Sequence, residues 1–279
     1  MEKKYRLTDE TIEFNGVKLY RIEALKDFGD VKKGDKGGFL QSEENLSQLG
    51  NCWIFDNAIV YGKAEVFGDA MIYCSAKVYD NANVFGDANV FGDAYVFGDA
   101  MIYGRAKVYY YAKVFDNANV FDNANVFGDA KVFGNTKFFG DAMIYGKAEV
   151  YDNAKVCGKV KVCDDAKVFG DAYVYGKAEV SGNANVFGSA KVYGDTTIRG
   201  FAKVSSHSDY IVFKNWWSSG RYFTWTRSNN MWSVGCFYGT GKELMEKAYK
   251  DSELSGREYK RVVKYVESIL RDENQNQTL

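Results

Sequence analysis

The sequence has no proline and a single histidine among its 279 residues. Proline cannot donate a hydrogen bond to a neighbouring strand, so its absence suits a chain whose backbone donors are nearly all committed to β-sheet ladders. The one histidine, His207, has no second histidine to join it, and no Cys-x-x-Cys pair occurs. Zinc sites combine several such ligands at short spacings. The sequence therefore predicts no zinc site and no bound cofactor.

Cysteine and long hydrophobic runs are also scarce. The five cysteines are too few and too scattered for a disulfide framework, and we expect all of them to be reduced thiols in a cytoplasmic protein. No apolar run approaches the ~20 residues of a membrane span, and residues 1–5 lack the apolar core of a signal peptide. With 36 basic and 37 acidic side chains, charge gives no reason to expect a nucleic acid or a membrane as partner.

The sequence contains one six-residue motif, Val-Phe-Gly-Asp-Ala-x, which is repeated 26 times from Ile54 to Val204 without insertion or deletion. The first position holds Val or Ile everywhere except at Phe138. The fifth position holds Ala, Thr or Ser everywhere except at Val160. A short fixed period of this kind indicates a solenoid, in which each repeat is covered by its neighbours.

Side-chain alternation along a strand decides which positions of the motif face inward. In Ala82-Asn83-Val84-Phe85 the inward pair is Ala and Val, because the opposite orientation would bury charged residues such as Lys77. The two remaining residues form a corner, usually Gly-Asp, Gly-Lys or Asp-Asn. One corner residue must tolerate a positive φ, and we expect Gly or Asn to supply it.

This pattern of small residue, any residue, aliphatic residue, any residue and Gly/Asp/Asn corner resembles the hexapeptide repeat of left-handed parallel β-helices. In that family three hexads make one triangular coil, so the resemblance implies between eight and nine coils here. The resemblance predicts an all-β protein, a left-handed parallel β-helix. The competing solenoid, a right-handed β-helix, usually has coils of unequal length with loops, and this run has none.

Two flanking segments complete the predicted organisation. Residues 1–53 form an N-terminal lead-in with a hairpin at Asn15-Gly16, residues 54–208 form the β-helix, and residues 209–279 form a small C-terminal α+β cap of three strands and two helices. Capping boxes predict that the two helices begin at Thr240-x-x-Glu and Ser255-x-x-Glu.

Both flanks carry further resemblances. Residues 28–58, which run Gly-Gly, Asn-Leu-Ser and Gly-x-Cys-Trp-Ile into the repeats, resemble the same segment of enterobacterial hexapeptide transferases of the YdcK type. Residues 235–240, Gly-Cys-Phe-Tyr-Gly-Thr, resemble the end domain of prophage-encoded hexapeptide-repeat proteins. The second resemblance implies a phage or prophage setting.

Most characterised hexapeptide β-helices are acyltransferases, which sets one functional alternative. In those enzymes a histidine is the general base, a loop ejected from the coils helps to build the site, and acyl-coenzyme A is the donor. This chain offers only His207, at a corner of the last hexad, and no ejected loop. Cys236 is a second weak candidate, because a thiol beside a helix N-terminus can have a lowered pKa, but we expect a buried structural thiol.

The other alternative is a binding surface. Phe or Tyr fills 21 of the 26 positions that follow the inward aliphatic residue. With three hexads in a coil, one face carries an unbroken ladder at Tyr61, Tyr79, Phe97, Phe115, Phe133, Tyr151, Phe169 and Phe187. Beside it runs a row that includes Lys77, Lys113, Lys131 and Lys167.

The ladder has two interpretations. Stacked aromatic rings can serve only to hold neighbouring coils together, or the face can bind a protein partner or a second copy of the chain. We predict a non-catalytic binding scaffold without a cofactor. The alternative is a hexapeptide-repeat acetyltransferase that uses acyl-coenzyme A.

Overall fold

The computed structural model describes residues 2–276, most of which form one long parallel β-solenoid. The N-terminal segment holds β1 (Tyr5–Phe14), β2 (Val17–Ala24), β3 (Lys36–Leu40) and a 3-10 turn at Glu43–Asn45. Twenty-six strands of two residues each follow. They are β4 (Trp53–Ile54), β5 (Ile59–Val60), β6 (Glu65–Val66), β7 (Met71–Ile72), β8 (Lys77–Val78), β9 (Asn83–Val84), β10 (Asn89–Val90), β11 (Tyr95–Val96), β12 (Met101–Ile102), β13 (Lys107–Val108), β14 (Lys113–Val114), β15 (Asn119–Val120), β16 (Asn125–Val126), β17 (Lys131–Val132), β18 (Lys137–Phe138), β19 (Met143–Ile144), β20 (Glu149–Val150), β21 (Lys155–Val156), β22 (Lys161–Val162), β23 (Lys167–Val168), β24 (Tyr173–Val174), β25 (Glu179–Val180), β26 (Asn185–Val186), β27 (Lys191–Val192), β28 (Thr197–Ile198) and β29 (Lys203–Val204).

These strands form three parallel sheets because each strand pairs with the third strand before and after it. Asn89, for example, pairs with Met71 and with Lys107, which lie three hexads before and after it. Every third strand from β5 to β29 belongs to the first sheet, which we call the ladder face; β4 to β28 form the second face and β6 to β27 the third. The three-hexad coil implied by the resemblance is therefore confirmed, with about nine turns.

The interior of the solenoid contains the residues that alternation places there. The inward Ala and Val or Ile side chains from Ala58 to Val204 are buried, and so are the replacements Thr136, Phe138 and Val160. The outward neighbours are half-buried or exposed, apart from a few such as Cys163. The predicted inward and outward faces are confirmed, and the core is one continuous column of small and β-branched side chains.

At the corners, the expectation that Gly or Asn has the positive φ was only partly right. Glycine has a positive φ as predicted, but in Asp-Asn corners the positive φ belongs to Asp and not to Asn: Asp80 has φ 60°. The reason is a link to the next coil. The Asp80 carboxylate accepts a hydrogen bond from the backbone N–H of Gly98 at 3.2 Å, and the Asn81 side-chain amide donates to the Asp99 carboxylate at 2.9 Å. Both residue types tolerate a positive φ.

The N-terminal segment covers the first coil. Strand β3 pairs in parallel with β5, with Phe39 opposite Ile59, and so extends the ladder face to twelve strands together with β1 and β2. Gly38 allows this close approach, since a Cβ there would lie 2.4 Å from the carbonyl oxygen of Ala58. The Asn45 side-chain amide donates to carbonyl groups of the first coil, among them that of Ala64 at 2.9 Å. The predicted hairpin at Asn15-Gly16 joins β1 to β2.

A buried lysine, which the sequence did not indicate, closes this end. The Lys4 side chain is only 1% exposed. Its Nζ donates to the carbonyl oxygen of Cys52 at 2.9 Å and of Gly50 at 3.3 Å, and lies 4.9 Å from the centroid of the Phe28 ring. Burial lowers the pKa of this amino group. Lys4 thus supplies donors to carbonyl groups at the open end of the first coil.

The C-terminal cap is an antiparallel sheet with two helices. After a 3-10 turn at His207–Asp209 come β30 (Tyr210–Lys214), β31 (Tyr222–Thr226), β32 (Met231–Val234) and β33 (Phe237–Gly239), then α1 (Gly241–Asp251) and α2 (Glu253–Asn276). The sheet therefore has four strands where three were expected. The all-β solenoid with a small α+β cap is confirmed. No helix within residues 2–276 is long and apolar enough to cross a membrane. Met1 and residues 277–279, which the predicted segments include, lie outside the described residues.

The helix starts agree only in part with the capping boxes. At α1 the Thr240 hydroxyl accepts from the Glu243 backbone N–H at 3.3 Å and the Glu243 carboxylate accepts from the Thr240 N–H at 2.8 Å, as predicted. The prediction for the second helix was wrong, because α2 already begins at Glu253 and Ser255 lies inside it. Ser252 precedes the helix, and its hydroxyl accepts from the Ser255 N–H at 3.1 Å.

Side-chain hydroxyl groups of the cap close the last coil. The backbone N–H of Thr197 donates to the Thr224 hydroxyl at 3.1 Å, and that of Lys203 donates to the Ser228 hydroxyl at 2.7 Å. An open coil presents a row of unpaired strand groups that can recruit further strands. The cap satisfies these groups without adding another coil.

We expect a carboxylate in the interior to unfold neighbouring coils. Val126→Asp places an unpaired charge in a fully buried position, which should lower the free energy of unfolding by several kcal/mol, since burial of an unpaired charge is costly. Asn125→Asp, on the outward side of the same strand, should cost under about 1 kcal/mol. Chemical denaturation of both variants measures the difference. Equal costs would contradict the inward and outward assignment.

Candidate functional site

The eight predicted rings of the ladder face stack in one column. Successive ring centroids lie 4.8–5.3 Å apart and successive ring planes differ by 1–10°. The spacing follows from the coil, because strands in a sheet lie about 4.8 Å apart and each ring stands above its counterpart in the next coil. The column runs from Tyr61 to Phe187.

Stacking decides what this ladder can offer to a ligand. Each inner ring has both faces covered by its neighbours, and Phe14 of the hairpin packs edge-on against Tyr61 at 5.9 Å. All eight rings are half-buried. The column therefore presents ring edges to solvent, and a base or a sugar cannot stack on it between the coils. The rings stabilise neighbouring coils, which is the structural interpretation of the ladder; its role in binding stays a prediction.

The predicted lysines form a separate row beside the rings. Lys77 Nζ lies 4.6 Å from the ring centroid of Tyr95 and 5.6 Å from that of Phe14, and Lys113 Nζ lies 5.6 Å from that of Tyr95. None of these three contacts involves a ladder ring. Lys77 and Lys113 therefore contact rings beside the ladder.

An ion-pair triad occupies the middle of the row. One carboxylate oxygen of Glu149 lies 2.9 Å from Lys131 Nζ, and the other lies 3.0 Å from Lys167 Nζ. Partial burial favours a raised pKa for Glu149, but the two lysines outweigh it and hold the pKa of this carboxyl below its usual value. The same contact raises the pKa of Lys167. With Lys203 at the end of the row, the outward strand positions of the ladder face hold five lysines and one glutamate.

His207 lies at the opposite end of the molecule from the hairpin. It begins the 3-10 turn at His207–Asp209 and is exposed. The Asp209 carboxylate accepts from the N–H groups of Ser205 and Ser206, at 2.7 and 2.9 Å. Within residues 2–276 no carboxylate accepts a hydrogen bond from the imidazole to orient it, as a general base in a hydrolase-type triad requires.

The histidine does line a cleft between the last coil and the cap. The cleft has a volume of about 560 Å³ and is also lined by Tyr193, Asp195, Tyr210 and Tyr222. Burial raises the pKa of Tyr210 to about 12, and its hydroxyl donates to the carbonyl oxygen of Lys191 at 2.7 Å. No sequence motif indicates that these four residues line one site. Their one signal is that Tyr193 is the last aromatic residue of the third face.

Cys236 corrects a second expectation. The thiol is exposed, not buried, and it lies in the turn between β32 and β33. The short strand β33 separates it from the N-terminus of α1, which begins after Thr240. Cys236 therefore does not adjoin a helix N-terminus. The five cysteines are free thiols.

Comparison with known proteins gives a short match. No protein-family model matches the chain. A segment of 66 residues is 44% identical to a segment of the protein named "Uncharacterized acetyltransferase YdcK" of Escherichia coli (strain K12). The match covers 20% of this chain and 20% of that protein. The match supports the resemblance to hexapeptide-repeat proteins of the YdcK type, and the chain aligns with about a fifth of its relative's length.

We expect the ladder to contribute measurably to stability. Phe115→Leu keeps an apolar side chain but removes two stacked pairs, with Phe97 and Phe133, each at 4.8 Å. At about 0.5–1.5 kcal/mol for each aromatic pair, the free energy of unfolding should fall by about 1–3 kcal/mol. Phe187→Leu is the matched control, because within residues 2–276 Phe187 stacks on Phe169 alone and should lose about half as much. Chemical denaturation of both variants tests this, and unchanged stability in Phe115→Leu would contradict it.

Proposed function

We propose that the protein is a non-catalytic binding scaffold whose ladder face binds an acidic surface of a protein partner. The observation that carries the proposal is the lysine row, with five lysines and one glutamate along a single sheet. The chain as a whole has a net charge of −1. Along the outward strand positions of this face, lysines therefore outnumber acidic residues. Electrostatic complementarity of this kind guides partner choice and speeds association.

The geometry supports lysine contacts more than burial of the rings. The ladder rings are half-buried and show only their edges, so they supply a narrow apolar strip. Lys113, Lys167 and Lys203 are exposed and extend beyond it. Interfaces combine apolar contact with a charged rim. An acidic protein surface can pair with the lysines while its apolar side chains contact the ring edges.

Charge also disfavours a second copy of the chain as the occupant of this face. Two ladder faces packed together would bring two lysine rows into one interface. Like charges placed opposite each other cost several kcal/mol.

A phage or prophage setting for the scaffold is supported by the resemblance of residues 235–240 to the end domain of prophage-encoded proteins.

The test compares two triple variants of equal charge. Among the described residues, Lys77, Lys113 and Lys203 are the lysines of the row without an ion-pair partner, and all three are changed to Gln. The control changes the lysines at the same strand position on the third face, which are Lys137, Lys155 and Lys191. Wild type and both variants are used to capture proteins from a bacterial lysate, and the captured protein is purified and titrated by calorimetry.

We expect the ladder-face variant to bind the purified partner at least about tenfold more weakly, with the control variant close to wild type, since the lysines provide the electrostatic contact. Wild-type affinity should fall as salt is added. Equal binding by the two variants, or a partner whose binding does not depend on salt, would contradict the proposal.

Acetyl transfer is the second candidate, because the matched relative carries the name acetyltransferase and His207 lines a cleft. Under the scaffold proposal His207→Ala should leave the fold and partner binding unchanged, and acetyl-coenzyme A should not bind at micromolar concentration. Calorimetry with acetyl-coenzyme A and an acetyl-transfer assay on wild type and variant measure this. Acetyl transfer that is lost in His207→Ala would favour the enzyme.

A further inference from the structure

The aromatic column of the third face ends at Tyr193, beyond which no further ring of the described residues stacks. Along this face Tyr175 and Tyr193 stack at 5.3 Å with an interplanar angle of 17°, and no second ring of residues 2–276 stacks on the outer side of Tyr193. Tyr193 is 51% exposed, and it is the one exposed ring among the 21 aromatic ladder positions. Tyr193 thus ends its column with no further stacked ring on its outer side, and about half of it is exposed.

Tyr193 lies in the cleft between the last coil and the cap. Asp195 and His207 are exposed in this cleft and supply an acceptor carboxylate and an imidazole that can donate and accept. Tyr222, 44% exposed, adds a second aromatic ring, over which Lys214 Nζ lies at 5.8 Å from the centroid. A concave site of this size with aromatic walls and a few convergent polar groups is typical of small-molecule sites.

We propose that this cleft binds a neutral sugar ring stacked on Tyr193. A pyranose has an apolar face of C–H groups, which packs on an aromatic ring, and an edge of hydroxyl groups, which both donate and accept hydrogen bonds. The apolar face of the sugar packs on the Tyr193 ring, so the ligand extends the aromatic column of the third face by one position. Asp195 accepts from ligand hydroxyl groups, and His207 donates to or accepts from them.

The charges of the cleft favour binding of a neutral sugar over binding of a nucleotide or a coenzyme. None of the nine residues that line it is a lysine or an arginine, and one is the carboxylate Asp195. A phosphate group would meet the Asp195 carboxylate in the cleft, and the nearby Lys214 Nζ lies over the Tyr222 ring and not among the lining residues, whereas phosphate sites present positive or donor groups. The role of His207 is therefore that of a hydrogen-bonding residue in a binding site. This inference is independent of the partner proposed for the ladder face.

The test uses saturation-transfer NMR with the full chain and a set of neutral methyl glycosides of glucose, galactose, mannose and N-acetylglucosamine, together with adenosine and acetyl-coenzyme A. We expect saturation transfer to the ring protons of at least one glycoside. The strongest binder is then titrated with Tyr193→Ala, Tyr193→Leu and Asp195→Asn. The Tyr193 variants should weaken binding by about tenfold, because they lose the stacked face.

Tyr111→Ala is the matched control, since Tyr111 is 60% exposed at a corner of the solenoid and does not line the cleft. Its affinity should equal that of wild type, and thermal unfolding shows that each variant is folded. Absence of transfer to every glycoside would overturn the proposal. Undiminished binding by both folded Tyr193 variants would also overturn it, and so would Tyr193-dependent binding of adenosine or acetyl-coenzyme A in place of a sugar.

Discussion

The three-hexad register between coils is the constraint on which the rest of the structure depends. It places every residue on its own counterpart in the next coil, so a side chain that fits once can repeat along the whole solenoid. Inward Ala and Val form a continuous core because each hexad supplies one of each at the same depth. Outward rings stack, and corner residues such as Asp80 reach the backbone of the following coil. A single charged residue in the interior would meet no partner in any coil.

The same register also determines where the molecule can bind other molecules. The faces of stacked rings are covered by neighbouring rings and cannot contact a ligand, so the ladder face exposes only ring edges and a row of lysines. A ring at the end of a column lacks a stacked neighbour on one side, and on the ladder face Phe14 packs edge-on against the first ring, Tyr61. On the third face the last ring is Tyr193, which stacks on Tyr175, has no further ring of residues 2–276 stacked on its outer side, and lies in a cleft. A repeat structure with regular sides thus concentrates its irregular chemistry at its ends.

Much of this architecture could be predicted from the sequence because the repeat is strict. The alternation in Ala82–Phe85 indicates which residues face inward, whatever the number of hexads in a coil. For that reason the hexads alone do not determine the coil size, and the value of three hexads came from a family resemblance. Asp and Asn both tolerate a positive φ, so composition could not tell which of Asp80 and Asn81 has it; a hydrogen bond to the next coil decides.

The ends of the chain were harder to predict, since their contacts join residues far apart in sequence. Lys4 is buried because it donates to the carbonyl group of Cys52 and others near it, and nothing in its local sequence indicates those acceptors. Cys236 was expected near a helix N-terminus, but the short strand β33 lies between them. The cleft at Tyr193 forms where the cap packs against the last coil. The sequence pattern therefore could not indicate that its lining residues lie close together.

The most direct test of the three-hexad register is disulfide formation between engineered cysteines. Asn89 and Lys107 are paired across neighbouring coils of the second face, whereas Asn89 and Met101, two hexads apart, lie on different faces. In a background that carries Cys74→Gly and Cys236→Ser, Asn89→Cys with Lys107→Cys should oxidise to a disulfide under mild conditions, because paired strands bring the Cα atoms within the roughly 4.4–6.8 Å that a disulfide needs. Asn89→Cys with Met101→Cys should stay reduced. A disulfide in the second pair and none in the first would contradict the three-hexad coil.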